Sequence, residues 1–223
     1  MRIPKIESYK NNTAIEVQKL GTIPTASRYT MLASDKDKVK YIKYLERIVR
    51  SSQEYRDYVA YLKQYIDMTK CSFFNGVVNN GKNKVSIEIH HEPFTLFDIT
   101  QVVLEKWLAE GEQINAYKIA KEIMKLHYQN RVGLIPLSIT VHQLVHNGKL
   151  FIPLQNVRGR FVEFIEEYDD YISDELKDKL QIKLKMSKEL SNQDLSILEQ
   201  QYTYLEVDGF VLPETLDEII TKY

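Results

Sequence analysis

The hydrophobic and polar positions of this chain follow a helical repeat over most of its length. An apolar stripe begins after Ser34 and Asp35, either of which can cap a helix, and it falters at Ser51-Ser52 before it resumes. We therefore predict two helices, or one bent helix, over residues 35–70. Further helices are predicted over residues 96–110, 116–130, 139–147, 159–172, 174–190 and 212–223.

Short alternating or extended stretches predict strands between these helices. In VSIEIHH, residues 85–91, the apolar residues face one side while Ser86, Glu88 and His90 face the other. The turn signal Asn80-Gly81 predicts a β-hairpin between this stretch and residues 71–78. Other short strands are predicted over residues 132–138, 149–154 and 202–207, the last followed by a turn at Asp208-Gly209. The fold class that follows is α+β and mainly helical.

The first 34 residues differ from the rest because they lack sustained periodicity. Pro4, Gly21 and Pro24 stand among polar residues there, which predicts an extended arm that packs on its own domain or on a partner. The pattern divides the chain into this arm (1–34), a helical segment (35–70), a strand-containing segment with two inserted helices (71–150) and a helical C-terminal part with a small hairpin (151–223).

Composition narrows the class of protein. The 223 residues are 43% hydrophobic and 11% aromatic, which supports a folded core. A net charge of −1 provides no global attraction for nucleic acid, so such binding depends on local patches. The single cysteine, Cys71, excludes an intramolecular disulfide and a cysteine-based zinc ribbon. No signal-peptide core and no long apolar run is found, so we expect a protein in a reducing compartment without a membrane span.

Four of the five histidines fall into two close pairs. His142 and His146 are four residues apart on a short predicted helix, so their rings share one side of it. His90 and His91 are adjacent where Pro93 ends a strand. His142 and His146 alone are compatible with a pair of surface histidines that has no function. His90 and His91 alone are compatible with one buried and one solvated ring. Both pairs together favour a metal site.

The residues that carry these pairs resemble the HNH nucleases, the ββα-metal or His-Me finger endonucleases. The resemblance covers residues 84–91, which end in His-His before Glu92-Pro93, and residues 133–149, GLIPLSITVHQLVHNGK. The chain as a whole is also similar to an HNH-related protein type encoded by tailed phages. The resemblance implies a ββα-metal finger embedded in the mainly helical domain.

The resemblance also implies roles for individual residues. His90 would bind a divalent ion (Mg²⁺, Mn²⁺, Zn²⁺ or Ni²⁺), and His91 would act as the general base that activates water. His142 and His146 would complete the metal site or contact the scissile phosphate. The metal would stabilise the phosphorane and the leaving oxygen during hydrolysis of DNA. One position departs from the family pattern, because Gly133 stands where the family has an asparagine. Asn130, three residues earlier, is a candidate substitute.

Several other residues have two interpretations. Lys149, Arg158 and Arg160 are candidate phosphate contacts, although basic residues in loops are usually only solvated. Glu88 is either a carboxylate that supports a histidine ligand or a solvated strand residue. His127 lies on an apolar helix face, which favours a packed histidine.

Three functions remain open from the sequence. The first is a phage-encoded, metal-dependent HNH-like endonuclease that acts on DNA in the host cytoplasm. The second is a catalytically weakened HNH fold that serves as a nucleic-acid-binding or structural subunit of a phage particle, packaging or transcription complex, with the N-terminal arm as the docking element for a phage protein. The third, a module stabilised by zinc on four histidines, is disfavoured because structural zinc sites usually include cysteine.

Overall fold

The computed structural model describes residues 34–74 and 85–191, together with residues 32, 77 and 79. Seven α-helices, two strands and two 3₁₀ turns (Leu154–Asn156 and Asp169–Tyr171) lie in this described part. In chain order the helices and strands are α1 (Asp35–Ser51), α2 (Gln53–Tyr65), β1 (Ile87–His91), α3 (Leu96–Ala109), α4 (Ala116–Tyr128), β2 (Leu134–Ser138), α5 (Ile139–His146), α6 (Phe161–Tyr168) and α7 (Asp174–Ser191). This composition confirms the predicted α+β class with helices dominant.

Two serines set the boundaries of the first two helices. Ser34 caps α1 because its hydroxyl accepts a hydrogen bond from the Asp37 N–H at 3.2 Å. Ser52 has an extended backbone, donates its hydroxyl to the Val49 carbonyl at 2.7 Å and accepts from the Tyr55 N–H at 3.1 Å. These side-chain bonds replace backbone bonds at the break, so the pattern interruption at Ser51-Ser52 marks two helices.

The first of two compact units contains α1, α2 as far as Tyr61, α3 and α4. Asn115 caps α4 through hydrogen bonds accepted from the Tyr117 and Lys118 N–H groups at 3.0 and 3.2 Å. Three of these helices, α1, α3 and α4, pack against one another through apolar side chains. The completely buried side chains among these include Leu45, Val49, Val103, Leu104, Ile119, Ile123 and Met124.

The second unit contains the strands and the remaining helices. β1 and β2 pair antiparallel, with His90 opposite Ile135 and His91 opposite Leu134. α5 follows β2 without a loop and packs on both strands, and Gly148 ends it in a left-handed conformation with φ +65°. β1, β2 and α5 pack together, although α3 and α4 separate the two strands in the chain. Because one fold hosts many functions, this packing alone does not assign a nuclease.

The partner of β1 differs from the predicted hairpin partner. β1 pairs with β2. The Cys71 N–H donates to the Val77 carbonyl at 2.9 Å, the Asn79 N–H donates to the Thr69 carbonyl at 3.0 Å, and the Ser72 N–H donates to the Pro136 carbonyl of β2 at 2.9 Å. β2 is buried at all five positions and takes the place beside β1 that the sequence assigned to residues 71–78. The turn predicted at Asn80-Gly81 lies outside the described residues.

The strand predicted over residues 149–154 is also absent, since no strand is assigned between Lys149 and Leu154. Two apolar residues of this stretch, Ile152 and Leu154, are nevertheless buried. The Leu154 N–H donates to the Ser187 hydroxyl at 3.0 Å, and the Gln155 side chain donates to the Ser187 carbonyl at 2.9 Å. These bonds fasten the stretch to α7 instead of to a neighbouring strand.

Some predictions fall outside the described residues. They are the extended arm, apart from residues 32 and 34, and the strand, turn and helix expected beyond residue 191. Across the part of the chain that the structure describes, no helix has the length and apolar character needed to cross a lipid bilayer.

Candidate functional site

The strand and helix periods bring three of the predicted histidines together. Residues two apart on a strand share a face, so β1 presents Glu88 and His90 on the same side. Residues four apart on a helix also share a side, so α5 presents His142 and His146 together. Because α5 packs on β1, the two pairs meet.

The three rings form a compact cluster. Each of His90, His142 and His146 offers a ring nitrogen, and these nitrogens all lie within 4.8 Å of one another. The Nε2 atoms of His142 and His146 are 2.9 Å apart, and all three rings meet edge to face with centroids separated by 4.4 to 5.2 Å. His90 is buried, His142 is half-buried and His146 is exposed, so the cluster opens to solvent on the His146 side.

Glu88 supports the cluster through His142. Its carboxylate contacts Nδ1 of the His142 ring. A carboxylate at Nδ1 favours the tautomer that carries its proton there, which leaves the Nε2 lone pair directed at the other histidines. The structure therefore favours the supporting role of Glu88 over that of a solvated strand residue.

A second carboxylate, that of Glu92, lies close to His90. Glu92 is 5% exposed, and its carboxylate lies 3.6 Å from His90 Nε2. Lys183, from α7, contacts the same carboxylate and donates to the Pro93 carbonyl at 2.8 Å. This arrangement compensates the buried charge and ties α7 to the end of β1. Sequence reasoning missed both residues: Glu92 adjoins the histidine pair, but Lys183 is 91 positions away and has no local signal.

His91, the predicted general base, lies outside the cluster. It follows His90 on the strand, so its side chain points to the opposite face, and it is 4% exposed. Its catalytic role stays a prediction.

Gly133 occupies a position without room for any side chain. A Cβ there would lie 1.8 Å from the Glu92 carbonyl oxygen and 2.7 Å from Cγ1 of Val157. The close approach follows from pairing, since the Gly133 carbonyl accepts the Glu92 N–H at 3.0 Å. The asparagine of the HNH pattern cannot be accommodated here without a backbone shift. Asn130 is exposed, with φ +59°, immediately after α4.

The three predicted phosphate contacts have different surroundings. Lys149 is exposed beyond the end of α5. Arg158 pairs with Leu134 through two backbone hydrogen bonds of 2.7 and 2.8 Å, and its side chain donates to the Ile66 carbonyl at 3.1 Å. Arg160 forms an ion pair with Glu163 at 2.7 Å. The side chain of Arg158 therefore links residue 158 to the backbone at Ile66. A phosphate contact by Lys149, Arg158 or Arg160 stays a prediction.

His127, the fifth histidine, belongs to the core of the first unit, as its apolar helix face predicted. It is 1% exposed, its Nδ1 is 2.8 Å from the Ile123 carbonyl, and the rings of Tyr55 and Tyr58 meet it edge to face. Burial lowers the pKa of His127 to about 4, against a smaller opposing effect of the bond to Ile123. The ring is therefore neutral at pH 7.

Comparison with known proteins identifies a phage family. No curated protein and no solved structure matches the chain. Residues 4–212 match the family model described as bacteriophage G278-like virion protein. This match spans nearly the whole sequence and supports the predicted phage origin. It also supports a virion location, which was expected for the second of the three functions, instead of the host cytoplasm expected for the first. The chain therefore belongs to the bacteriophage G278-like virion protein family.

Proposed function

We propose that this chain is a structural subunit of the phage particle and that its clustered histidines bind one divalent metal ion. Membership of a virion protein family supports the place in the particle and implies phage protein partners. The observation that carries the metal assignment is the convergence of the His90, His142 and His146 ring nitrogens within 4.8 Å.

The donor set fits a transition-metal ion. Bonds from zinc to histidine nitrogen are about 2.0–2.1 Å long, so two ligands of one ion can be at most about 4.2 Å apart. The three nitrogens lie within 4.8 Å of one another, so a pair at that limit would have to approach by about 0.6 Å to share one ion. Three imidazoles suit Zn²⁺ or Ni²⁺, whereas Mg²⁺ prefers an octahedron of oxygen ligands that the cluster does not offer.

The ion would act as a cross-link between secondary-structure elements. His90 lies on β1, and His142 and His146 lie on α5, so their shared ligation would fix the helix to the strand. An ion that binds only the folded state stabilises it by about 2.7 kcal/mol at a concentration one hundred times Kd. A particle subunit benefits from this stabilisation without any turnover.

A zinc titration of the purified protein tests the metal assignment. We expect one ion per chain, an increase in unfolding temperature on binding, and loss of both effects in His142→Ala. Glu88→Gln should weaken zinc binding about tenfold, since carboxylates behind ligating histidines contribute 10–100-fold to affinity. Glu189→Gln, an exposed change of the same charge on α7, serves as the control and should bind like the wild type. Unchanged zinc affinity in His142→Ala would overturn the assignment.

A metal-dependent nuclease is the second candidate. The packing of α5 on the paired strands β1 and β2 and the meeting of His90 with His142 and His146 favour it. Two observations weigh towards the structural role. His91 is buried and points away from the cluster, and Gly133 has no space for the side chain that the nuclease pattern has at that position.

Plasmid nicking separates the two functions. The structural proposal predicts no nicking by the protein loaded with Zn²⁺, Ni²⁺, Mn²⁺ or Mg²⁺. Nicking that requires the metal and disappears in a folded His91→Ala variant would establish the nuclease and refute a purely structural role. The circular dichroism spectrum of the variant checks its fold.

A further inference from the structure

A continuous row of basic side chains runs along α1, on the face opposite its buried side. Steps of four, three, four and three residues keep the row on one side of a helix with 3.6 residues per turn. All its members are exposed: Lys36, Lys40, Lys43, Arg47 and Arg50. At a rise of 1.5 Å per residue, the row is about 21 Å long. We call it the α1 basic row.

The charge of this row is only partly compensated. Lys40 pairs with Asp37 at 3.2 Å and Arg50 pairs with Glu46 at 2.9 Å, both within the helix, and both cations of these pairs are exposed. Exposed pairs of this kind contribute about 0–1 kcal/mol, so a stronger anion displaces them easily. Lys43 and Arg47, at the centre of the row, make no ion pair with any residue in the described ranges. The helix as a whole carries six basic and three acidic side chains.

We propose that the α1 basic row binds the phosphate backbone of double-stranded DNA. A duplex carries one negative charge per about 1.7 Å of its axis, so 21 Å of duplex presents more phosphates than the row has cations. A protein partner is a poorer fit, because interface cores between proteins are apolar and depleted in lysine, whereas three of the five members are lysines. Membership of a virion family places the chain in a particle that carries a nucleic-acid genome.

This inference does not rest on the proposed metal centre. The row lies on a helix of the first unit, and the histidine cluster belongs to the second. It also differs from the phosphate contacts expected at Lys149, Arg158 and Arg160, which belong to the second unit. Since the net charge of the chain is −1, attraction for DNA must come from a local patch such as this row. Contacts to phosphates carry no sequence information, so we expect binding that is independent of DNA sequence.

The salt dependence of binding has a calculable size. Each neutralised phosphate contributes about −0.9 to the slope of log K against log salt concentration on duplex DNA. Five contacts correspond to a slope of about −4.5, or roughly a 500-fold loss of affinity between 50 and 200 mM salt. Removing Lys43 and Arg47 should reduce the magnitude of the slope by about 2.

Fluorescence anisotropy of a labelled random-sequence duplex, titrated with the full chain in EDTA from 50 to 200 mM salt, tests the proposal. EDTA keeps metal-dependent chemistry out of the readout. The test variant is Lys43→Gln with Arg47→Gln, and the control is Lys179→Gln with Lys185→Gln, which removes the same charge from exposed positions on α7. We expect the control to match the wild type and the test variant to bind more weakly, with the shallower slope.

Three results would overturn the proposal. The first is the absence of wild-type binding at 50 mM salt, which would make the row a solvated face. The second is an equal loss in both variants, which would make the effect one of net charge. The third is equally tight binding of a polyglutamate peptide at the same row, which would assign the row to an acidic protein surface. Thermal unfolding of both variants checks that they are folded.

Discussion

Acidification should weaken the first unit through a single buried histidine. His127 is 1% exposed between Tyr55 and Tyr58, and burial lowers its pKa to about 4. In the unfolded chain a histidine has a pKa near 6.5. Between these two values the unfolded state binds one more proton than the folded state, so stability falls as the pH is lowered from 6.5 towards 4 and then levels off.

The size of this effect follows from the two pKa values. One pKa unit corresponds to 1.36 kcal/mol, so a shift of about 2.5 units amounts to roughly 3.4 kcal/mol once the pH is below both values. At pH 4.5 most of it, about 2.5 kcal/mol, has been lost relative to pH 7.5. Arg50 is the charged group that contributes to the pKa of this ring, and its effect is also to lower that pKa.

The assay is urea unfolding at pH 7.5 and pH 4.5, followed by tryptophan fluorescence. Trp107 is the only tryptophan, and it lies on α3 in the same unit as His127, so the signal reports on that unit. Many carboxylates also titrate in this range, so His127→Gln provides the reference. We expect the stability advantage of the wild type over this variant to shrink by about 2.5 kcal/mol between the two pH values.

Either of two results would show that burial of His127 does not make the stability of the first unit depend on pH. An advantage that does not change with pH would mean that the ring gains its proton equally in both states. A nuclear magnetic resonance titration that places the pKa of His127 near 6.5 would mean that the ring is accessible to water.

Two further expectations concern the backbone and the buried charge beside the cluster. Gly133→Ala should lower the free energy of unfolding by about 3 kcal/mol or more because its Cβ would meet the Glu92 carbonyl oxygen. Gly148→Ala meets nothing within 4 Å and should cost only about 1 kcal/mol for its left-handed backbone, so equal losses in urea unfolding would contradict the steric account. Lys183→Met should cost about 3 kcal/mol by leaving the buried Glu92 carboxylate uncompensated, and adding Glu92→Gln should restore more than half of that. Additive losses in this double-mutant cycle would show that the pair is not coupled.

The helices were predictable because their signals are local. Ser34 caps the helix that its position predicted, Asn115 caps the helix predicted over residues 116–130, and the break after Ser51 coincides with a change of helix. The orientation of the paired histidines was predictable for the same reason. Adjacent residues lie on opposite faces of a strand, and residues four apart lie on the same side of a helix. The apolar helix face around His127 likewise indicated a packed ring.

Long-range partners were not predictable in the same way. The Asn80-Gly81 turn signal favoured pairing β1 with residues 71–78, whereas β1 pairs with β2, a strand about fifty residues later that is buried at all five positions. Lys183 reaches Glu92 from α7 only because of tertiary packing, so no spacing in the sequence connects them. The steric limit at Gly133 also depends on the pairing of β1 with β2.

We have proposed that His90, His142 and His146 bind one metal ion. X-ray absorption at the zinc edge, on protein loaded with one equivalent of Zn²⁺, measures the ligands directly. We expect imidazole nitrogens at about 2.0–2.1 Å from the zinc ion and outer-shell scattering from three imidazole rings. In His142→Ala, the scattering should correspond to two rings. A zinc shell without imidazole scattering, or one that is unchanged in His142→Ala, would contradict this proposal.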